Sequence, residues 1–201
     1  MLQGIDISHH NQNMKNLQDL NSLDFVLIKA TEGIRFKDPA LQRFCGALNK
    51  DHLRGFYHFA RPDLGNDPED EALHFLRTIH PYLNGLSVLA LDVEAGALNV
   101  KNIDMWCCMW MQIVEIETGI LPMIYTSISE TKKFSGVADL GCGLWAAKWG
   151  KKPTVKQLEP WKFYAIWQYT SSGSCSGVRV DEDIFNGNRD QFIKYCGAIN
   201  G

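Results

Sequence analysis

Short apolar runs recur along the chain, at residues 2–7, 25–30, 55–60, 88–93, 121–125, 144–149, 163–169 and 178–185. Runs of this kind predict strands, and the uncharged stretch Val88 to Leu91 with Val93 reads as one buried on both faces. Between the early runs the hydrophobic period changes to that of a helix. Residues 39–50 and 68–80 each open on an Asp-Pro pair, Asp38-Pro39 and Asp67-Pro68, which suits a helix cap followed by proline in the first turn. Residues 102–118 are apolar on most faces, through Ile103, Trp106, Met109, Trp110, Ile113 and Val114. That pattern predicts a largely buried helix, with Gly119 as its stop.

Strands alternating with helices imply a parallel α/β fold, and eight strand candidates suggest a (β/α) barrel like that of triosephosphate isomerase. The last third departs from that ideal. Too few residues separate Tyr169 from Val178 for a parallel crossover, so the final strand should run antiparallel. Residues 129–143 and 151–162 leave room for short helices at best. The expected architecture is an irregular barrel with helices missing or short in its C-terminal third.

Composition narrows the setting. The 201 residues suffice for one domain, and no repeat or linker divides them, so residues 1–201 are read as a single unit. A net charge of −3 and no basic patch make nucleic acid an improbable partner. No apolar stretch reaches the roughly 18 residues of a membrane span. The first residues, Met1-Leu2-Gln3-Gly4, show neither the basic nor the apolar part of a signal peptide. A protein released from the cytoplasm or a secreted one trimmed of its signal both fit. The six cysteines form no C-x-x-C pair and no zinc spacing, and are expected to be free thiols.

The candidate chemistry lies where the strands end. In a barrel of this type the active site lies at the C-terminal ends of the strands. The run at 88–93 leads into Asp92 and Glu94, two residues apart and therefore on one face of a strand. The other ends supply Asp6, Lys29 with Glu32, Tyr57 with His58, Tyr125, Trp149, Gln168 with Tyr169, and Asp181. Carboxylate pairs are the equipment of glycosidases, and aromatic faces pack on sugar rings. No phosphate cradle and no nucleophile elbow is present. More ordinary roles are expected for two of these groups: Lys29 and Glu32 pairing with each other, and His58 as a hydrogen-bonded core histidine.

Eight short blocks in order carry a family resemblance. Gly4-Ile5-Asp6-Ile7-Ser8 opens the set, and the blocks at 25–33 and 55–61 follow. Leu91-Asp92-Val93-Glu94 is the fourth, then the blocks beginning at Ile124, Leu144 and Trp167, and last Val180-Asp181-Glu182-Asp183-Ile184-Phe185. The set resembles glycoside hydrolase family 25, the Chalaropsis-type lysozymes. The chain departs from it at Asp183, where the family usually has Asn and where the acid is expected to add a negative charge near the site, and at His9-His10-Asn11, where Gln is more usual.

The resemblance implies an N-acetylmuramidase acting on bacterial peptidoglycan, a phage endolysin being one form of it. Glu94 would be the general acid, its proton retained through repulsion from Asp6, Asp92 and Asp181 and through the apolar strand. Asp92 would orient the substrate's 2-acetamido group as that group attacks the anomeric carbon. Asp6 and Asp181 would tune the pair or position the acetamide and a water, and Tyr57, Tyr125, Trp145 and Gln168 would contact sugar. No metal or cofactor is implied, and a monomer is expected. Another glycosidase of N-acetylglucosamine polymers, such as a chitinase or endo-glucosaminidase, and a non-catalytic wall-binding protein are the alternatives.

Overall fold

The computed structural model describes residues 1–197. Its strands are β1 (Leu2–Ile7), β2 (Phe25–Glu32), β3 (Phe36–Lys37), β4 (Leu53–Phe59), β5 (Ser87–Asp92), β6 (Met123–Ser127), β7 (Leu144–Ala147), β8 (Ile166–Cys175) and β9 (Val178–Phe185). All but β3 close into a barrel in the order β1-β2-β4-β5-β6-β7-β8-β9, with β9 returning to β1. The short β3 pairs antiparallel with the end of β2. Strands β1 to β8 run parallel around the ring, whereas β9 is antiparallel to both of its neighbours. The predicted antiparallel last strand is therefore present. Most of the stretch between Tyr169 and Val178 belongs to β8 itself, which reverses through Ser176 and Gly177. Both have positive φ, 47° and 79°, the backbone of a two-residue hairpin turn.

Helices α1 (Leu41–Ala47), α2 (Pro68–Ile79) and α3 (Ile103–Thr118) cover the outside of the first half of the barrel. The later helices α4 (Ser135–Asp139) and α5 (Val155–Leu158) span one turn or little more, as the short gaps predict, and α6 (Arg189–Ile193), which follows the last strand, is as short. Gly119 ends α3 in the left-handed conformation at φ 70°, where glycine carries no Cβ penalty.

Three expectations need correction. Helix α3 is not buried all round: Met105, Met109 and Ile116 are exposed, because only the face carrying Ile103, Cys107, Trp110, Met111 and Val114 meets the barrel. Asp38 does not cap α1, which begins at Leu41. Its buried carboxylate instead accepts bonds from the backbone N–H groups of His9 and Ala40, tying the loop after β1 to the loop before α1. Asp67 stands at the cap position of α2 without a side-chain cap bond, leaving Pro68 to start that helix.

Inside the barrel, alternate residues of each strand face the axis and stack in layers. The lower layers are apolar, with Phe25, Leu27, Leu53, Val88, Ala90, Met123 and Phe185 in one buried cluster. Gly55 makes room for this filling, since a Cβ there would lie 2.4 Å from the Leu27 side chain and 2.7 Å from Val88. Phe192 of α6 plugs the lower end, its ring 5.4 Å from Phe25 and 5.1 Å from Phe185. The next inward positions toward the strand C-termini are polar: Asp6, Lys29, Tyr57, Asp92, Tyr125 and Gln168. The apolar floor thus leaves chemistry at one end only.

All six cysteines are free thiols, as expected. No helix among the described residues is long and apolar enough to cross a membrane.

Candidate active site

A cavity of about 380 Å³ opens at the C-terminal ends of the strands. This is the size of a small-ligand site. The eight residues singled out from the sequence all line it: the carboxyl groups of Asp6, Asp92, Glu94 and Asp181, and the side chains of Tyr57, Tyr125, Trp145 and Gln168.

Strand β5 ends at Asp92, yet Asp92 and Glu94 still share a face. Val93 donates its N–H to the Tyr125 carbonyl at 3.0 Å, and Glu94 has an extended backbone (φ −147°). The alternation therefore continues two residues past the strand. At Ala95 the φ of 50° turns the chain away.

Gln168 organises the opposite wall. Its Nε2 donates to Asp6 Oδ2 at 2.7 Å and reaches Asp181 Oδ2 at 3.5 Å. Its Oε1 accepts from the Tyr125 hydroxyl at 3.0 Å and from the Trp149 indole at 3.5 Å. Asp6 and Asp181 face each other across the β1–β9 ladder, so both point inward. The Trp145 indole packs edge-on against Tyr57 and Tyr125 and donates to Asp183 Oδ1 at 2.7 Å.

The wall also holds a cation. Lys29 Nζ pairs with Glu32 at 2.8 Å, the partnership expected from the sequence, and lies 4.6 Å above the Phe59 ring. Glu32 is further bound by Arg61 at 2.7 Å. A bulge in β2 between Lys29 and Thr31 sends Lys29 inward beside Tyr57 and Thr31 outward beside His58. His58 is accordingly a core residue, bonded to Thr31 and Glu71 at 2.7 Å each and stacked on Trp110.

Burial dominates the electrostatics. Desolvation holds the Glu94 carboxyl above its ordinary range; Lys29 opposes the rise and Asp181 adds to it. Burial therefore contributes more than the like-charge repulsion expected from the sequence. Asp92 is raised well above the usual carboxylate range, by burial first and then by Glu94, again against Lys29. Asp6 is raised to about 7 by burial and by Asp181, and its bond from Gln168 pulls the other way. Asp181 is raised by burial and lowered by Arg179. Neutral carboxyl groups that can still donate a proton near pH 7 are what acid catalysis of glycosidic cleavage requires.

Three contributors were not legible beforehand. Asp183 was noted as an extra charge near the site but not as a buried partner of Trp145. His10 and Arg179 line the cavity from loops and a strand edge with no motif to mark them. Trp149 is 65% exposed at the rim, too open for the barrel packing that its place in an apolar run suggests. Among the described residues no group of His, Cys, Asp and Glu has the arrangement of a metal site.

Comparison with known proteins agrees with this geometry. Residues 5–178 match the model of glycosyl hydrolases family 25. An N,O-diacetylmuramidase of Arthroderma benhamiae is 30% identical over 97% of this chain and 86% of its own length. A family GH25 lysozyme from Aspergillus fumigatus is 28% identical and superimposes with a TM-score of 0.81, covering 98% of this chain and 99% of the other. The catalytic domain of an endolysin from a bacteriophage of Listeria monocytogenes is 27% identical with a TM-score of 0.76, covering 98% of each. With the family model spanning most of the chain and the barrel shared, this protein belongs to glycosyl hydrolase family 25.

Proposed function

We propose that the chain is a lysozyme of the N-acetylmuramidase type, one catalytic unit that cuts the β-1,4 bond from N-acetylmuramic acid to N-acetylglucosamine in bacterial peptidoglycan. The observation that carries the reading is at Asp92. Its Oδ1 is buried and has no hydrogen-bond partner among the described residues, beside a Glu94 carboxyl that burial holds above its ordinary range. A buried acceptor without a donor is costly. The N–H of a 2-acetamido group would supply the missing donor, and both sugars of peptidoglycan carry that group.

Glu94 then acts as the general acid on the leaving oxygen. Asp92 holds the acetamide so that its carbonyl oxygen attacks the anomeric carbon, and balances the positive charge that develops. Asp6 and Asp181, bridged by Gln168, orient the acetamide and the incoming water. Tyr57, Tyr125 and Trp145 form the wall against the sugar rings. The protein works as a monomer on the bacterial wall, which light scattering would report as a mass near 22.7 kDa.

The test is digestion of purified peptidoglycan followed by mass spectrometry. A muramidase leaves N-acetylmuramic acid at the new reducing end. N-acetylglucosamine there would identify another type of glycosidase. Sedimentation with walls and no product at high protein concentration would identify a binding protein.

A further inference from the structure

The inward face of β9 presents a third acid behind the two already described. Asp183 is fully buried, beneath Asp181 on the same strand. Its Oδ1 accepts from the Trp145 indole at 2.7 Å, and its Oδ2 receives no N–H or hydroxyl donor. The Asp6 carboxyl on the adjoining strand lies within hydrogen-bonding reach of the Asp183 carboxyl. Two ionised carboxylates are acceptors only and cannot bond each other. Asp6 in turn has Oδ2 occupied by the Gln168 amide.

The charged and titratable neighbours leave Asp183 no counter-ion. Asp6 faces it from β1 and Asp181 from its own strand. The Trp145 indole meets it from β7, the neutral Gln168 pairs beside it from β8, and the Tyr125 phenol faces it from β6. Among the described residues the hydrogen-bond donor that reaches it is the Trp145 indole N–H.

We infer that Asp183 is a positioning residue that stays protonated at neutral pH and donates its carboxyl proton to Asp6, taking the place an asparagine amide would fill. A carboxylic acid and an amide have nearly the same shape and each sets a carbonyl acceptor beside a donor, one O–H in the acid and two N–H in the amide. The acceptor meets Trp145, and the donor meets Asp6. The acid thus adds no charge to the cavity, contrary to the reading that it places an extra negative charge near the site. Held from one side by Gln168 and from the other by Asp183, the Asp6 carboxylate keeps one orientation toward the cavity. Burial and repulsion from Asp6 raise Asp183 well above the ordinary carboxylate range, which agrees with this arrangement. The effect on turnover rests on the muramidase reading; the protonation state does not.

The first readout needs no substrate. Carbon-13 NMR of protein labelled at the aspartate carboxyls should show a protonated carboxyl at pH 7 that is absent from Asp183→Asn. The second is thermal unfolding against pH. Asp183→Asn should gain stability relative to wild type steadily as pH rises from about 4 toward 7, because the unfolded wild-type chain releases this proton near pH 4. The third is activity: Asp183→Asn should retain kcat, and Asp183→Leu, which offers neither donor nor acceptor, should lose about tenfold or more. An ionised Asp183 signal at pH 7, or a stability difference that does not vary with pH, overturns the inference even if the enzyme proves to be a muramidase. Wild-type protein lacking muramidase activity but showing the protonated signal would overturn the proposed function alone.

Discussion

At the residue scale the site consists of acids whose hold on their protons is strengthened by burial. Glu94 must carry its proton to act, so activity should fall as pH rises through its raised pKa. Glu94→Gln should lower kcat by about 10²–10⁴-fold, the usual worth of a positioned general acid. Turbidity clearance and new reducing ends measure this, and undiminished activity would remove Glu94 from the role. The same variant should be more thermally stable than wild type at pH 7 and equal to it near pH 4. A folded pKa raised above the unfolded one makes the wild-type chain lose stability as pH rises past the unfolded value. Trp149 offers a contrasting case. It is exposed and bonded only to Gln168, so Trp149→Ala should leave the melting temperature nearly unchanged. If its face stacks on sugar, KM for soluble glycan fragments rises more than kcat falls.

At the element scale, the strands place groups and the irregularities aim them. The bulge in β2 separates Lys29, which enters the cavity, from Thr31, which bonds His58 outside it. The hairpin of β8 and β9 brings Gln168, Asp181 and Asp183 to one wall, and β9 supplies two inward acids from its middle. Helix α6 contributes no chemistry but seals the base of the barrel. Phe192 is fully buried between Phe25 and Phe185, so Phe192→Ala should destabilise the fold by about 3–5 kcal/mol. Denaturant unfolding measures the loss. The variant should still turn over substrate where it remains folded, because the plug lies at the opposite end from Glu94.

At the scale of the whole molecule, an apolar floor and a polar mouth share one barrel, and the mouth is costly. Asp6, Asp92, Glu94, Asp181 and Asp183 are all raised, so each binds its proton more tightly folded than unfolded. Their linkage destabilises the folded chain as pH rises from about 4 toward neutrality, against the opposite contributions of Glu32, Glu130 and His58, whose pKa values are lowered. Replacing a raised acid by its amide should therefore raise the melting temperature more at pH 7 than at pH 4, and an equal change at both would contradict the raised assignment. Much of this molecule was legible in its chain. Apolar runs separated by helical periods marked the order of elements, because strands covered on both faces are built mostly of apolar residues. The shortness of the last connections dictated an antiparallel closing strand, because a parallel crossover needs more chain. Alternation along β5 paired Asp92 with Glu94, and block order pointed to the family. Closure of the ring decided the rest. Burial depth at the mouth, the bond from Trp145 to Asp183 and the approach of Asp183 to Asp6 join strands far apart in sequence. No local pattern encodes the distance between two strands that meet only when the barrel closes, and that distance decides which acids keep their protons.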